Sequence, residues 1–250
     1  MPRFFVDQSQ IEGTEIVLRG EDAHHVARSL RMAVGDELTV CDREGVEYLC
    51  RILRFEEDRE VFAEILQKRE TGNEPPCRIR LFQALPKGDK LDTVIQKAVE
   101  CGALEIVPFE SERCVVRLKP EAEERKTERR QKIAAEAAKQ CGRSVLPTVH
   151  ETVSFSEMLS MALESQLCLF CYEGEGTEPL GRVLRKSLAE CEAPSVSVII
   201  GSEGGFSPAE AQRAEAAGMR MVGLGNRILR TETASIFVLA CLCLVTELET

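Results

Sequence analysis

The sequence predicts an α/β protein in which a small amino-terminal β domain precedes a larger domain built on a mostly parallel sheet. Three observations carry this. The first 70 residues hold short apolar runs separated by turn residues, the pattern of a small antiparallel barrel or sandwich. From Cys77 onward strand-like and helix-like patterns alternate, as they do when helices cover both faces of a parallel sheet. Between the two, Thr71-Gly72-Asn73-Glu74-Pro75-Pro76 has linker composition. The expected division is 1–72, a linker at 73–76, and 77–250. With 250 residues and 44% hydrophobic content, the chain has enough apolar material for full cores.

In the amino-terminal part the runs at 3–6, 15–18, 37–41, 47–55 and 61–66 read as strands. A helix over 23–32 interrupts them, with Val26 and Leu30 on one side and His24, Arg28 and Arg31 at i, i+4 and i+7 on the other. In the second part a strand at 78–85 leads to a helix over 90–101, stopped by Gly102, and then to a strand at 104–109. A long charged helix over about 121–141 ends at Gly142, where a glycine after the last turn belongs. Helices over 156–165 and 180–191 are each followed by a strand, at 167–172 and 195–200. The apolar stretch 234–245 falls short of the roughly 20 residues of a membrane span and reads as a buried helix.

The formal net charge is -10, which taken whole argues against a partner held by phosphate neutralisation. Counted by segment, the charge is uneven. Residues 1–76 and 151–250 each carry a net charge of -7, whereas 77–150 carry +4. Eleven cysteines are scattered through the chain without a secretion signal before them, so a reducing, cytoplasmic setting is expected and no disulfide framework. Cys168 and Cys171 have redox or zinc spacing, but they sit in an interior strand with no second pair following, so a core role and no metal are expected.

Two loops stand out. The β-branched strand at 195–200 runs into Gly201-Ser202-Glu203-Gly204-Gly205-Phe206, after which Ser207 and Glu210 form an S-x-x-E capping box with Pro208 at the first helical position. A second strand, Met221 to Gly225, leads through Asn226-Arg227-Ile228-Leu229-Arg230-Thr231-Glu232-Thr233-Ala234 into the apolar helix. Ligands of parallel sheets bind beyond the carboxyl ends of strands, so two such glycine-bearing ends are candidate walls of one pocket. Neither loop is G-x-G-x-x-G or Gly-Lys-Ser/Thr, and too few residues follow Gly201 to complete a doubly wound sheet, which disfavours a nicotinamide enzyme.

Further segments occur in order along the chain: Pro2-Arg3-Phe4, His24-His25 with Leu30-Arg31-Met32, Lys87-Gly88-Asp89-Lys90, Glu100-Cys101-Gly102, Ser111-Glu112-Arg113-Cys114 and Gln140-Cys141-Gly142-Arg143. With the two glycine loops, they make nearly the whole chain resemble the RsmE family of 16S ribosomal RNA uridine-N3 methyltransferases, in the SPOUT (α/β-knot) superfamily. Ser202 stands where proline is common in that family's loop, and so does Asn226 before its arginine. The resemblance implies a PUA-like RNA-binding β-barrel, then a SPOUT domain with a deep trefoil knot in about 196–250. It also implies S-adenosylmethionine as cofactor, 16S rRNA within the small ribosomal subunit as partner, and a homodimer that shares site residues.

Methylating a uracil N3 requires positioning two partners and dealing with the N3 proton, because the cofactor already carries an activated methyl. Arg230 is the catalytic candidate, stabilising the uridine anion or orienting the base; a surface ion pair with Glu232 is its alternative role. A permanently protonated guanidinium is no base. The cofactor-binding candidates are Leu169, Phe170 and Tyr172, then Gly201, Glu203, Gly204 and Gly205, and then Leu224, Gly225, Ile228, Leu229, Thr233 and Ala234. Glu203 is expected either to hold its loop, to meet the methionine ammonium, or to be solvated. For RNA the candidates are Arg3, Arg28, Arg31, Arg113 and Arg143; Arg117, Lys119, Arg125, Lys126, Arg129, Arg130 and Lys132 are as readily a salt-bridged helix face. A non-catalytic RNA-binding assembly factor on the same fold is the second reading, and a metabolic α/β enzyme the third.

Overall fold

The apolar runs of the first 70 residues fold as one six-stranded sheet. The computed structural model describes residues 1–57, 59–70, 72–117, 120–188 and 194–249 and divides into two units, Met1–Glu74 with Ala138–Leu146, and Pro75–Ala137 with Pro147–Thr250. The stretch Ala138–Leu146, expected in the second domain, thus groups with the first unit.

In the first unit the strands are β1 (Arg3–Phe5), β2 (Ile11–Glu12), β3 (Glu15–Arg19), β4 (Glu37–Cys41), β5 (Val46–Glu56) and β6 (Glu60–Glu70), in the order β1-β4-β5-β6-β3-β2. Only β1 and β4 run parallel. The β5–β6 register shifts between Leu49 and Cys50 and between Ile52 and Arg54, irregularities that bend long strands. Phe4, Ile16, Leu18, Leu38, Val40, Ile52 and Val61 point into one core, which the short helix α1 (Gly20–His24) covers with Ala23, and its continuation with Val26. The helix expected over 23–32 starts earlier, at Gly20, and ends at Ser29. It widens into a π-turn over His25–Ser29, and Arg31 adopts a left-handed φ of 53°, so Arg31 leaves the line of His24 and Arg28.

Two buried ion pairs fix this unit. The Glu47 carboxylate, 1% exposed, is held by Arg3 at 2.6 Å and by Arg69. Burial pushes its pKa up, but the hydrogen bonds from Arg69 and Arg3 outweigh this and hold it below the usual carboxylate range. Arg143, its side chain 5% exposed, places Nη2 at 2.7 Å and Nε at 3.0 Å from Glu74 Oε2, while Glu74 Oε1 accepts the amides of Ser144 and Val145. Arg143→Ala removes one half of this clamp and is expected to cost about 2–3 kcal/mol of stability. Urea denaturation measures it. A loss of RNA affinity at unchanged stability would return Arg143 to phosphate binding.

The second unit carries a parallel sheet. Its elements are β7 (Arg78–Ala84), α2 (Lys90–Glu100), β8 (Ala103–Glu110), α3 (Pro120–Cys141, its last turn in the first unit), β9 (Thr148–Val149), β10 (Val153–Ser154), α4 (Phe155–Ala162) and β11 (Leu167–Cys171). They continue with β12 (Glu178–Pro179), α5 (Leu180–Leu188), β13 (Ser195–Ile200), α6 (Pro208–Ala216), β14 (Arg220–Gly223) and α7 (Thr231–Cys243). The strand order is β10-β8-β7-β13-β11-β14-β12, with β9 beside β8. Helices cover both faces, so all of Val196 to Ile200 is buried, the continuous apolar run of a covered parallel strand. The helix expected over 180–191 ends at Leu188, and Cys191 lies outside the described residues. The Ser207–Glu210 capping box forms in both directions, at 3.2 and 2.9 Å.

α7 runs on as a π-turn to Leu248, and over Thr231–Leu248 it is long and apolar enough to cross a membrane. Its inner side, Val238, Leu239 and Leu242, is buried where the helix packs on α2 and β13, but Phe237, Leu244 and Leu248 are exposed. The expected buried helix is therefore apolar on both sides and covered on only one.

Candidate active site

Neighbouring strands β13, β11 and β14 end together, and the loops that follow them, 172–177, 201–207 and 224–230, enclose a cavity of about 790 Å3. This is where side chains and backbone amides from segments far apart in sequence converge on a ligand. Phe206 anchors the first glycine loop by packing on Phe170 at 4.2 Å between ring centroids. Gly205 closes the loop with a left-handed φ of 64° and donates its amide to the Ser202 carbonyl at 2.9 Å. Gly204 is required for a different reason: a Cβ there would lie 3.0 Å from Arg113 Cβ and 3.2 Å from its carbonyl oxygen.

Most of the expected cofactor residues line this cavity: Tyr172, Gly201, Glu203, Gly204, Gly205, Leu224, Gly225, Ile228, Leu229 and Ala234. Leu169 and Phe170, expected to contribute backbone, are not among the lining residues: the cavity meets β11 at Cys171, and Phe170 supports the loop from beneath. Thr233 does not either, because it points outward from the first turn of α7.

Arg230 lines the cavity at the N-cap of α7, exposed and without an ion-pair partner among the described residues. The alternative pairing with Glu232 is not made. Glu232 instead lies 3.5 Å from Lys90 Nζ, which also donates to Glu203 Oε1 at 2.8 Å. Glu203 accepts the Lys87 amide as well, at 3.1 Å, so of its three expected roles the structure places it as the loop holder. Its carboxyl is raised by burial and more than compensated by Lys90 and backbone amides, so its pKa is lowered; Glu203 in turn raises that of Lys90. Lys90 therefore stays cationic. No role was assigned to it from sequence, since its two carboxylate partners lie more than a hundred residues away. Ser202 Oγ, buried in the cavity wall, has no hydrogen-bond partner among the described residues.

The RNA candidates separate. Arg113 is exposed, donates to the Gly204 carbonyl at 3.1 Å and lines the cavity itself. Arg28 and Arg31 are exposed on the first unit with His24 and His25. Arg3 and Arg143 differ from these: neither is exposed, and their guanidinium groups pair with Glu47 and Glu74, bracing the first unit. On α3 the salt-bridged reading holds for Arg129, at 2.7 Å from Asp92, and for buried Arg130, at 3.1 Å from Glu123. Arg117 donates to the carbonyls of Ser111 and Glu112, and Lys119 lies outside the described residues. Cys168 is buried with its thiol on the Ala162 carbonyl, as expected, whereas Cys171 reaches the cavity wall.

Comparison with known proteins adds the family. A model described as "RNA methyltransferase domain" matches residues 73–243, and one described as "RNA methyltransferase PUA domain" matches 18–66. The chain is 34% identical to the ribosomal RNA small subunit methyltransferase E of Bacillus subtilis, covering 99% of this chain and 98% of that one. It is 33% identical to the enzyme of the same name from Aquifex aeolicus, over 92% and 94%. Among solved structures, the ribosomal RNA small subunit methyltransferase E of Neisseria gonorrhoeae bound to S-adenosyl methionine superposes with a TM-score of 0.82 at 30% identity, over 97% of both chains. A putative methyltransferase of Legionella pneumophila with bound cofactor SAM gives 0.84 at 32%, over 96% of both. A domain match across most of the chain and full-length likeness to these enzymes together establish that the chain belongs to the RNA methyltransferase family, among the small-subunit ribosomal RNA methyltransferases E.

Proposed function

We propose that this protein transfers the methyl group of S-adenosylmethionine to N3 of a uridine in 16S rRNA, within the small ribosomal subunit. The observation that carries the proposal is the cavity at three adjacent strand ends, with an uncommitted arginine at its rim. The cavity fits the cofactor. Gly201, Gly204 and Gly205 line it, open space lies where a Cβ of Gly205 would stand, and the Ser202 hydroxyl, without a partner among the described residues, offers a hydrogen bond inside it. When bound there, the cofactor supplies an activated methyl on a sulfonium. The protein's own residues supply position and charge: the 201–206 and 224–230 loops hold the ligand, Arg113 and Arg230 draw the RNA to the rim, and Arg230 favours the N3 anion.

Several finer features belong to the same proposal. The first unit acts as a PUA-like RNA-binding barrel, presenting Arg28 and Arg31 to phosphates. A trefoil knot over about 196–250 is supported by the strand order, in which β14 enters between β11 and β12 after these two are already joined. A homodimer is supported by the exposed Phe237, Leu244 and Leu248 on α7. A cytoplasmic setting, where thiols stay reduced, suits a chain with eleven cysteines.

Calorimetric titration with S-adenosylmethionine is the first test. Micromolar binding is expected, and its absence, with RNA binding retained, would favour the non-catalytic factor instead. The braced arginines also set an expectation for RNA. Log affinity should fall shallowly with log salt, and a slope equivalent to about six or more phosphate contacts would contradict this.

A further inference from the structure

The side chain of Gln83 is fully buried near the carboxyl end of β7, between Ile200 of β13 and Pro108 of β8. A primary amide in a sheet covered on both faces is costly unless every polar atom is paired. Here each is. Nε2 donates to Thr231 Oγ1 at 2.9 Å and to the Ala84 carbonyl at 2.9 Å, and Oε1 accepts from Ser235 Oγ at 2.5 Å. Thr231 Oγ1 passes the chain on, donating to the Gly201 carbonyl at 2.6 Å. The order is thus fixed by which atoms carry hydrogens: Ser235 donates to Gln83, Gln83 to Thr231, and Thr231 to Gly201.

This relay joins the two segments that wall the cavity. Gly201 begins the glycine loop, and Thr231 begins α7 directly after Arg230. Neither Gln83 nor Ser235 lines the cavity. We propose that Gln83 is a positioning residue: from beneath the pocket floor it locks the glycine loop to the start of α7, and so sets the shape of the cofactor site and the place of Arg230. The inference rests on the cofactor reading above. It requires a group that accepts on one side and donates on the other, a condition the amide meets and neither a thioether nor a carboxylate meets.

The test compares Gln83→Met, Gln83→Glu and the unaltered protein by calorimetric titration with S-adenosylmethionine, at temperatures where thermal melting shows each fully folded. Gln83→Met is expected to weaken cofactor binding about tenfold or more. Gln83→Glu is expected to do the same near about pH 8 and to recover near about pH 6, because a buried carboxyl takes up a proton well above its ordinary pKa and then donates to Thr231 as the amide does. The hydrogen-bond partners of residue 83, Thr231, Ser235, the Ala84 carbonyl and, at 3.4 Å, the Gly201 carbonyl, do not titrate, so the recovery reads residue 83 itself, measured against the unaltered protein over the same range. If both variants bind as the unaltered protein does, or if Gln83→Glu stays weak as the pH falls, the proposal is overturned. Should Gln83→Met not fold, Ser235→Ala leaves only Oε1 unpaired and is expected to weaken binding about threefold, with no change again overturning it. Failure of the unaltered protein to bind the cofactor would instead overturn the functional reading.

Discussion

Arg230→Ala is expected to lower the single-turnover rate of methyl transfer by about 10²–10³-fold, the usual cost of deleting one preorganised charge-stabilising donor. Cofactor affinity should change little. Arg230 is exposed at the cavity rim, its backbone is fixed as the N-cap of α7, and among the described residues no carboxylate claims its guanidinium. Glu232, the one partner local sequence offers, is drawn to Lys90 instead. Arg230→Lys keeps the charge but loses the planar fork, so it should recover only part of the rate. Rates near that of the unaltered protein in both variants would remove Arg230 from the chemistry.

Gly204→Val is expected to weaken S-adenosylmethionine binding by about 10- to 100-fold, equivalent to about 1–3 kcal/mol of overpacking. The backbone at Gly204 is not left-handed, so the cost arises from what surrounds it. The new Cβ meets the Cβ and carbonyl oxygen of Arg113, atoms that cannot swing away as a long side chain can. Relief requires the glycine loop or the segment carrying Arg113 to shift, and both line the cavity. Gly204→Ala should show a smaller loss in the same direction. Unchanged affinity in a folded Val variant would place the cofactor elsewhere.

Much of the second unit was legible because a covered parallel strand is written as an unbroken apolar run and its helices carry caps. β13 and the Ser207 box are examples. The outer half of β6 was not, since Gln67 to Glu70 are exposed and polar although they pair with β5. Nor was the break at Arg31, because an i, i+4, i+7 spacing does not reveal a left-handed φ. Among site residues, the two glycine loops stood out by composition, while the fates of the arginines did not. Arg3 and Arg143 match the family's pattern as well as Arg113 does, but Glu47 and Glu74 claim them through contacts that only the fold creates. Lys90 and Gln83 were passed over for the same reason. Their partners are contributed by the loop after β13 and by α7, and neither the Lys87-Gly88-Asp89-Lys90 segment nor the surroundings of Gln83 in sequence reveal them.

The central claim is methyl transfer to one uridine N3, and the most direct measurement is to incubate the protein with methyl-labelled S-adenosylmethionine and either small ribosomal subunits or naked 16S rRNA, then digest the RNA and identify the labelled nucleoside. Label is expected in a single 3-methyluridine, formed about 10²–10³-fold more slowly with Arg230→Ala. No label in either RNA form despite cofactor binding, or label on another base or atom, would contradict it.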